Sequence, residues 1–147
     1  MFKSLLVAVD GSEHSMRAVD TAADLAKDHD ARLLILHVYK AVTLMESTHS
    51  LVRTRQSLAP SDDALRDFAQ EAVKEAKERA IQRGARRVET YIKRGQPARS
   101  IVDFAKEQGV DAIVLGSRGW GDIGALLMGS VSHKVCSLAE CTCITVK

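Results

Sequence analysis

Aromatic residues make up only 4% of this 147-residue chain, prolines number two and cysteines three, and neither sign of charge dominates. Each scarcity excludes something. With 21 basic against 19 acidic side chains, the formal net charge of +2 gives no one-signed field of the kind a dedicated nucleic-acid binder presents. Cys136, Cys141 and Cys143 are an odd number crowded towards one end, which does not suit a secreted disulfide scaffold. No apolar run approaches the roughly 18 residues of a membrane span. The run LLVAV near the start is too short even for the apolar region of a signal peptide. The expectation is a cytoplasmic protein with no membrane insertion and no nucleic-acid partner. A hydrophobic content of 46% argues against disorder, and the length suits one domain over residues 1–147 with a single core.

What is present is a regular alternation of two patterns. KSLLVAV (3–9) is a short apolar run ending at Asp10-Gly11-Ser12, a turn and helix start. Met16, Val19, Ala23 and Ala26 then recur at helical spacing. RLLILHV (32–38) is nearly continuous in apolar residues, as in a strand covered on both faces. Residues 39–60 read as a long loop, with or without a short helix. Pro60-Ser61-Asp62-Asp63 opens a helix whose apolar stripe runs through Leu65, Phe68, Ala69, Ala72, Ala76 and Ala80 and stops at Gly84. RVETYIK (87–93) alternates as a strand; Pro97 starts a helix that ends at Gly109; residues 111–115 form a buried strand; Val131, Val135 and Leu138 mark a short helix; residues 142–146 close with a strand. This βαβαβαβαβ order implies an α/β, three-layer, Rossmann-like fold: a five-stranded parallel sheet with right-handed crossovers and helices on both faces. The basic cluster Arg79, Arg83, Arg86, Arg87, Lys93 and Arg94 reads as a helix end and a solvated strand.

The stretch GSRGWGDIGALLMGS (116–130) holds five of the nine glycines. Two familiar motifs inside it fail. GWGDIG has the dinucleotide spacing but sits in the last βαβ unit, with too little chain after it for the acidic partner about 20 residues on. GALLMGS lacks the lysine of a phosphate loop. In an open parallel sheet, ligands sit beyond the carboxyl ends of the strands where the strand order reverses. For order 3-2-1-4-5 that point lies between the strand ending at Asp10 and the strand ending at Gly116, with His37-Val38 bordering the same crevice. The segment from Ser130 is a helix N-terminus, positive in character and suited to phosphate, and Gly129 removes a side chain that would hold phosphate away. Ser130 can donate to a phosphate oxygen or serve as the helix cap. Asp10 suits a ribose hydroxyl, Mg²⁺ held against the phosphates, or a helix cap, although Ser12 is better placed for the last. Arg118 is a candidate for the phosphate chain.

The spacing that does fit is G-x2-G-x9-G-[ST], here Gly116, Gly119, Gly129 and Ser130. Together with VAVDGSE, LLILHVY, RGQPARSIVDFAKEQGVDAIVLGSRG, LLMGSVSHKV and CTCITVK, it resembles the nucleotide-binding signature of the universal stress protein family along the whole chain. The resemblance implies sheet order 3-2-1-4-5 and binding of ATP (or ADP or AMP), with Mg²⁺, in the crevice between the first and fourth strands. It carries over Ala8 and Asp10 at the end of the first strand, Val38 at the adenine, and Leu115, Gly116, Gly119, Gly129, Ser130 and Val131 around ribose and phosphates. It also implies a homodimer through the C-terminal strand, or a higher assembly, and an unidentified protein partner.

No Ser/His/Asp order or paired-carboxylate spacing stands out. The expectation is therefore a nucleotide-dependent regulatory or stress-response module, with little or slow ATP hydrolysis and no catalytic residue. An adenylate-handling α/β enzyme acting at the α-phosphate and a nucleotide-free interaction module are the alternatives. His133, Cys136, Cys141 and Cys143 have the spacing H-x2-C-x4-C-x-C, which is not a usual zinc pattern, so they read as packing residues and no protein metal cage is expected.

Overall fold

Local signals set the ends of the elements. In the computed structural model, which describes residues 1–40, 61–118 and 128–147, β1 (Ser4–Ala8) leads to α1 (Glu13–His29), whose N-cap Ser12 accepts from the Ser15 N–H. Asp30, in the left-handed region at φ 49°, ends α1 and turns the chain into β2 (Arg32–Tyr39). Helix α2 (Asp62–Gln82) starts on Ser61 in the same way, its side chain accepting from Ala64 N–H, and leads to β3 (Arg87–Arg94). Pro97 stands in the first turn of α3 (Pro97–Gln108), where its missing N–H costs nothing. Gly109 ends that helix at φ 60° before β4 (Ala112–Gly116). Helix α4 (Ser130–Leu138) and β5 (Thr142–Val146) complete the chain.

The strands form one parallel sheet of order β3-β2-β1-β4-β5. Alternation along the strands builds two cores. Leu5, Val7, Leu33, Ile35 and Val114 face α1 and α2, whereas Leu6, Leu34, Leu36, Ile113 and Leu115 face α3 and α4. Alanines supply much of the helical side of the first core, Ala18, Ala22, Ala23 and Ala26 among them, so α1 lies close to the sheet. The sheet order and both helical layers match the sequence reading.

Two readings are corrected. The apolar stripe of α2 does not bury its first members: Phe68 is 50% exposed and Leu65 only half-buried, while Ala69, Ala72, Val73, Ala76 and Ala80 form the buried face. The start of α2 overruns the carboxyl ends of the strands, so the Phe68 ring rests edge-on against His37, with centroids 5.9 Å apart, instead of on the sheet. Tyr39 closes β2 instead of opening a loop. The rest of the proposed 39–60 loop from residue 41, Gly119, and residues 120–127 with the motif GWGDIG lie outside the described residues.

The basic cluster is a set of ion pairs. Arg79 holds Asp20 through two 2.7 Å contacts, Arg83 holds Asp24, and Arg86 and Arg87 flank Asp30. Lys93 meets Glu107, and Arg94 meets Asp62. The pairs from Arg79 and Arg83 tie α2 to α1; the others decorate exposed surface.

Candidate functional site

The first wall of the site grows from the end of β1. Val9 N–H still reaches Leu36 O at 2.9 Å, continuing the sheet one residue past the strand. Asp10 Oδ1 then accepts from Ser12 N–H at 2.8 Å, and Asp10 N–H donates to Ser15 Oγ at 3.3 Å. The turn between them passes through Gly11 at φ 83°, where a Cβ would also lie 2.8 Å from the Phe68 ring. Ser12, not Asp10, caps α1, and Asp10 Oδ1 closes the turn before it.

The second wall comes from the end of β4. Gly116 is packed so tightly that a Cβ there would be 2.8 Å from the backbone carbon and oxygen of His14. The resemblance places this glycine at ribose and phosphates; the first turn of α1 is a second close neighbour. Ser132 Oγ donates to the Gly116 carbonyl. Gly129 N–H donates to Ser117 O at 2.5 Å, and Ser117 N–H donates to Val146 O at 2.7 Å. These bonds fix the N-terminus of α4 against the β4 end. The N-cap is Gly129, at ψ 153° and without a side-chain cap bond, and Ser130 is the first helical residue. The reading of Ser130 as cap is thus corrected: the extended backbone one residue earlier takes that position and leaves the Ser130 hydroxyl exposed at the helix mouth.

Between the walls lies a cavity of about 230 Å³. Ala8, Asp10 and Val38 reach it from β1 and β2; Leu115, Gly116 and Arg118 from β4; Gly129, Ser130 and Val131 from the start of α4. The residues that the resemblance assigns to the nucleotide, and Arg118, therefore converge, except Gly119, which lies outside the described residues; His37, read as bordering the same crevice, does not join them. The cavity is asymmetric. Leu36, Val38, Pro97 and Ile101 make an apolar side, and Asp10, Arg118, Ser130 and Ser132 make a polar one. Pro97 and Ile101 were not singled out from sequence. The signal was available, because the turn after β3 opens at the same end of the sheet as every other strand-to-helix turn and Pro97 starts the following helix.

His37 does not border the cavity; it alternates to the opposite face of β2 from Leu36 and Val38. It is 5% exposed, and its Nδ1 has no hydrogen-bond partner among the described residues. Burial pushes its pKa below the ordinary imidazole value, against the opposing influence of the Asp10 charge and a backbone hydrogen bond to Val9. Cys136, Cys141 and Cys143 are free and half-buried against the α3/α4 core. Among the described residues, no group of three or more His, Cys, Asp or Glu side chains is arranged to hold a metal ion.

This fold recurs in known proteins. The family model described as "Universal stress protein family" matches residues 1–147. The chain is 40% identical to universal stress protein YxiE of Bacillus subtilis, with each chain fully covered. A universal stress protein solved in complex with cAMP is 28% identical and superposes at a TM-score of 0.74, covering 99% of this chain and 97% of that one. The Archaeoglobus fulgidus universal stress protein in complex with dAMP is 25% identical at a TM-score of 0.73, covering 99% and 98%. With the family model spanning every residue and a relative matched at full length, the chain belongs to the universal stress protein family.

Proposed function

We propose that this protein binds an adenine nucleotide in the β1/β4 cleft and acts as a nucleotide-dependent regulatory module, with at most slow hydrolysis. The observation that carries this reading is the asymmetric cavity on which Ala8, Asp10, Val38, Leu115, Gly116, Gly129, Ser130 and Val131 converge. The apolar side formed by Val38, Leu36 and Ile101 suits a purine face, with the backbone at Val38 offering its edge polar contacts. Asp10 suits a ribose hydroxyl. The N-terminus of α4 suits phosphate: its first N–H groups point out of the helix, its dipole is positive there, and Gly129 places no side chain in the way. Arg118 adds a positive charge on the same side. Relatives solved with cAMP and dAMP support the adenine class.

Mg²⁺ fits this site only as a companion of the phosphates. Asp10 is the single carboxylate lining the cavity among the described residues, and a hard divalent ion held by one carboxylate takes its other ligands from phosphate and water. The proposed assembly is a homodimer through β5, and the setting is the cytoplasm.

The test is direct. Denature the purified protein and analyse the supernatant for bound nucleotide, then titrate ATP, ADP and AMP while following the fluorescence of Trp120, the sole tryptophan. A saturable response is expected. Gly129→Val, which places a branched side chain at the helix mouth, is expected to weaken binding by about tenfold or more, a loss on the order of 1.4 kcal/mol. Circular dichroism checks that the variant is folded. No binding of any adenine nucleotide at millimolar concentration, or undiminished binding by folded Gly129→Val, overturns the reading.

A further inference from the structure

Phe68 is 50% exposed, yet its ring is held on two sides. It meets the buried His37 edge-on, with centroids 5.9 Å apart. Its tip meets Gly11, with Cζ 2.8 Å and Cε1 3.3 Å from the position a Cβ would take there. Both neighbours adjoin residues of the cleft: Gly11 follows Asp10, His37 precedes Val38, and Asp10 and Val38 line the cavity. We propose that Phe68 is a positioning residue for the cleft: from the start of α2 its ring braces the Asp10-Gly11-Ser12 turn, holds the Asp10 carboxylate at the cavity wall, and makes nucleotide affinity depend on the seating of α2. The effect on affinity rests on the nucleotide reading of the cleft; the brace itself does not.

The turn gains from a brace supplied by another element. Strand β1 ends at Ala8, and the bond from Val9 N–H to Leu36 O continues the sheet by one residue. Past that point the turn is held by its own bonds, from Ser12 N–H to Asp10 Oδ1 at 2.8 Å and from Asp10 N–H to Ser15 Oγ at 3.3 Å. These join residues of one turn and the helix it opens, so they set the shape of the turn but not its lean against the sheet. Gly11, at φ 83°, has no side chain to pack, and glycine has the widest choice of backbone states. The ring tip occupies the space where another residue would carry its Cβ. It thereby restrains the member of the turn that is least restrained by its own chemistry.

Helix α2 is placed to press the ring home. Arg79 and Arg83 tie its far end to Asp20 and Asp24 of α1, and Ala69, Ala72, Val73, Ala76 and Ala80 bury its inner face. Its first turns run past the carboxyl ends of the strands, which puts Phe68 against the turn and His37. His37 suits the other side of the ring. Burial lowers its pKa, so near neutral pH it presents an uncharged imidazole that an apolar ring covers without burying a charge. Whatever unseats the start of α2 releases the Asp10 turn with it.

The experiment uses the full chain. ATP and AMP are titrated calorimetrically into wild type and single variants, and amide exchange at Ser12 is followed by NMR without nucleotide. Phe68→Ala is expected to weaken binding by about fivefold or more and to speed exchange of the Ser12 N–H by about tenfold, with unchanged circular dichroism. Phe68→Met, flexible and long enough to reach Gly11, is expected to keep both readings near wild type. Phe68→Tyr is expected to lose affinity, because its hydroxyl stands on Cζ, the atom already nearest Gly11, although a half-exposed ring would otherwise accept it. Ile81→Ala, 52% exposed at the other end of α2, is the control and is expected to change neither reading. Wild-type affinity and Ser12 exchange in Phe68→Ala, wild-type affinity in Phe68→Tyr, or equal losses in Ile81→Ala overturn the proposal. If Phe68→Ala misfolds, Phe68→Met against Phe68→Tyr decides, since they differ in what meets Gly11. A wild type that binds neither ATP nor AMP instead overturns the reading of the cleft, while Ser12 exchange still decides the brace.

Discussion

A methyl group on Gly116 would sit 2.8 Å from the backbone of His14, and backbone at the start of a capped helix does not give way as a flexible side chain does. Gly116→Ala is therefore expected to lower stability by about 1–3 kcal/mol, the cost of overpacking a well-filled site. It would do so through the seam between β4 and α1, with or without nucleotide. A urea midpoint unchanged from wild type would show that α1 shifts freely and would remove this account. Gly109 is the control. Nothing lies within 4 Å of its Cβ position and its φ is 60°, so Gly109→Ala should cost only left-handed strain, about 1 kcal/mol. The contrast marks a limit of what single residues disclose. Gly109 is legible in the sequence because a glycine after a periodic run is a local helix stop. Gly116 stands out equally and lines the cavity, but it also has a neighbour about 100 residues earlier in the chain that the sequence does not disclose. Ser12 and Asp10 show the same division. Their turn and cap are local and readable, whereas the placement of Asp10 over the β4 crevice needs the sheet.

Elements are tied to one another by a few long side chains, and among the described residues Arg32 has the most partners. It stands at the start of β2, opposite Arg87 of β3 in register, a like-charged pairing that the fold resolves by sending the two guanidiniums apart. Arg32 turns to Glu89, at 2.7 and 3.0 Å, and to Gln108 at the end of α3, at 3.1 Å; Arg87 turns to the Asp30 carbonyl. Arg32 and the Tyr91 hydroxyl hold the Glu89 carboxyl down to about 2, from 4.5. The folded pKa is below the unfolded one, so this stabilisation is complete above about pH 4.5 and drains away as pH falls towards 2. With side chains 32% and 43% exposed, solvent screening limits it to the order of 1 kcal/mol. Arg32→Met is expected to lose about that amount at pH 7 and progressively less below pH 4.5, read as converging urea midpoints. A constant difference from pH 7 to pH 3 would mean that Arg32 acts through packing alone. Such ties were invisible in the sequence, whereas the starts of α1, α2 and α3 were not, because Ser12, Ser61 and Pro97 act on their own helix ends. The stripe on α2 was misread at Phe68 for a related reason: periodicity reports which residues share a helix face, but not where the sheet beneath that face stops.

For the whole molecule, the strand order decides both where the proposed nucleotide and where the proposed second chain would fit. The alternation of strands and helices gave a parallel sheet, and the order 3-2-1-4-5 that the family resemblance implied put the reversal, and with it the crevice, between β1 and β4. Pro97 and Ile101 joined it only because α3 crosses back over the same end. The same order leaves β3 and β5 as the two edges of the sheet. They are not alike. Strand β3 carries Arg87, Glu89, Lys93 and Arg94, charges of the kind that discourage edge-to-edge pairing. Strand β5 reads TCITV and has no charge; Thr142 and Thr145 are exposed, while Ile144 and Val146 pack towards α1. An uncharged edge of this kind invites a second strand, and a second copy of β5 is self-complementary by two-fold symmetry. The proposed dimer therefore predicts a particle of twice the 16.0 kDa chain mass in sedimentation equilibrium. Thr142→Lys combined with Thr145→Lys should convert it to a monomer of unchanged circular dichroism, because both substitutions lie on exposed side chains and place like charges in the seam. A monomeric wild type, or a double variant that stays dimeric, would separate β5 from self-association. In that case the uncharged edge would have to be explained by contacts within one chain, where Val146 already accepts the Ser117 N–H at the rim of the cleft.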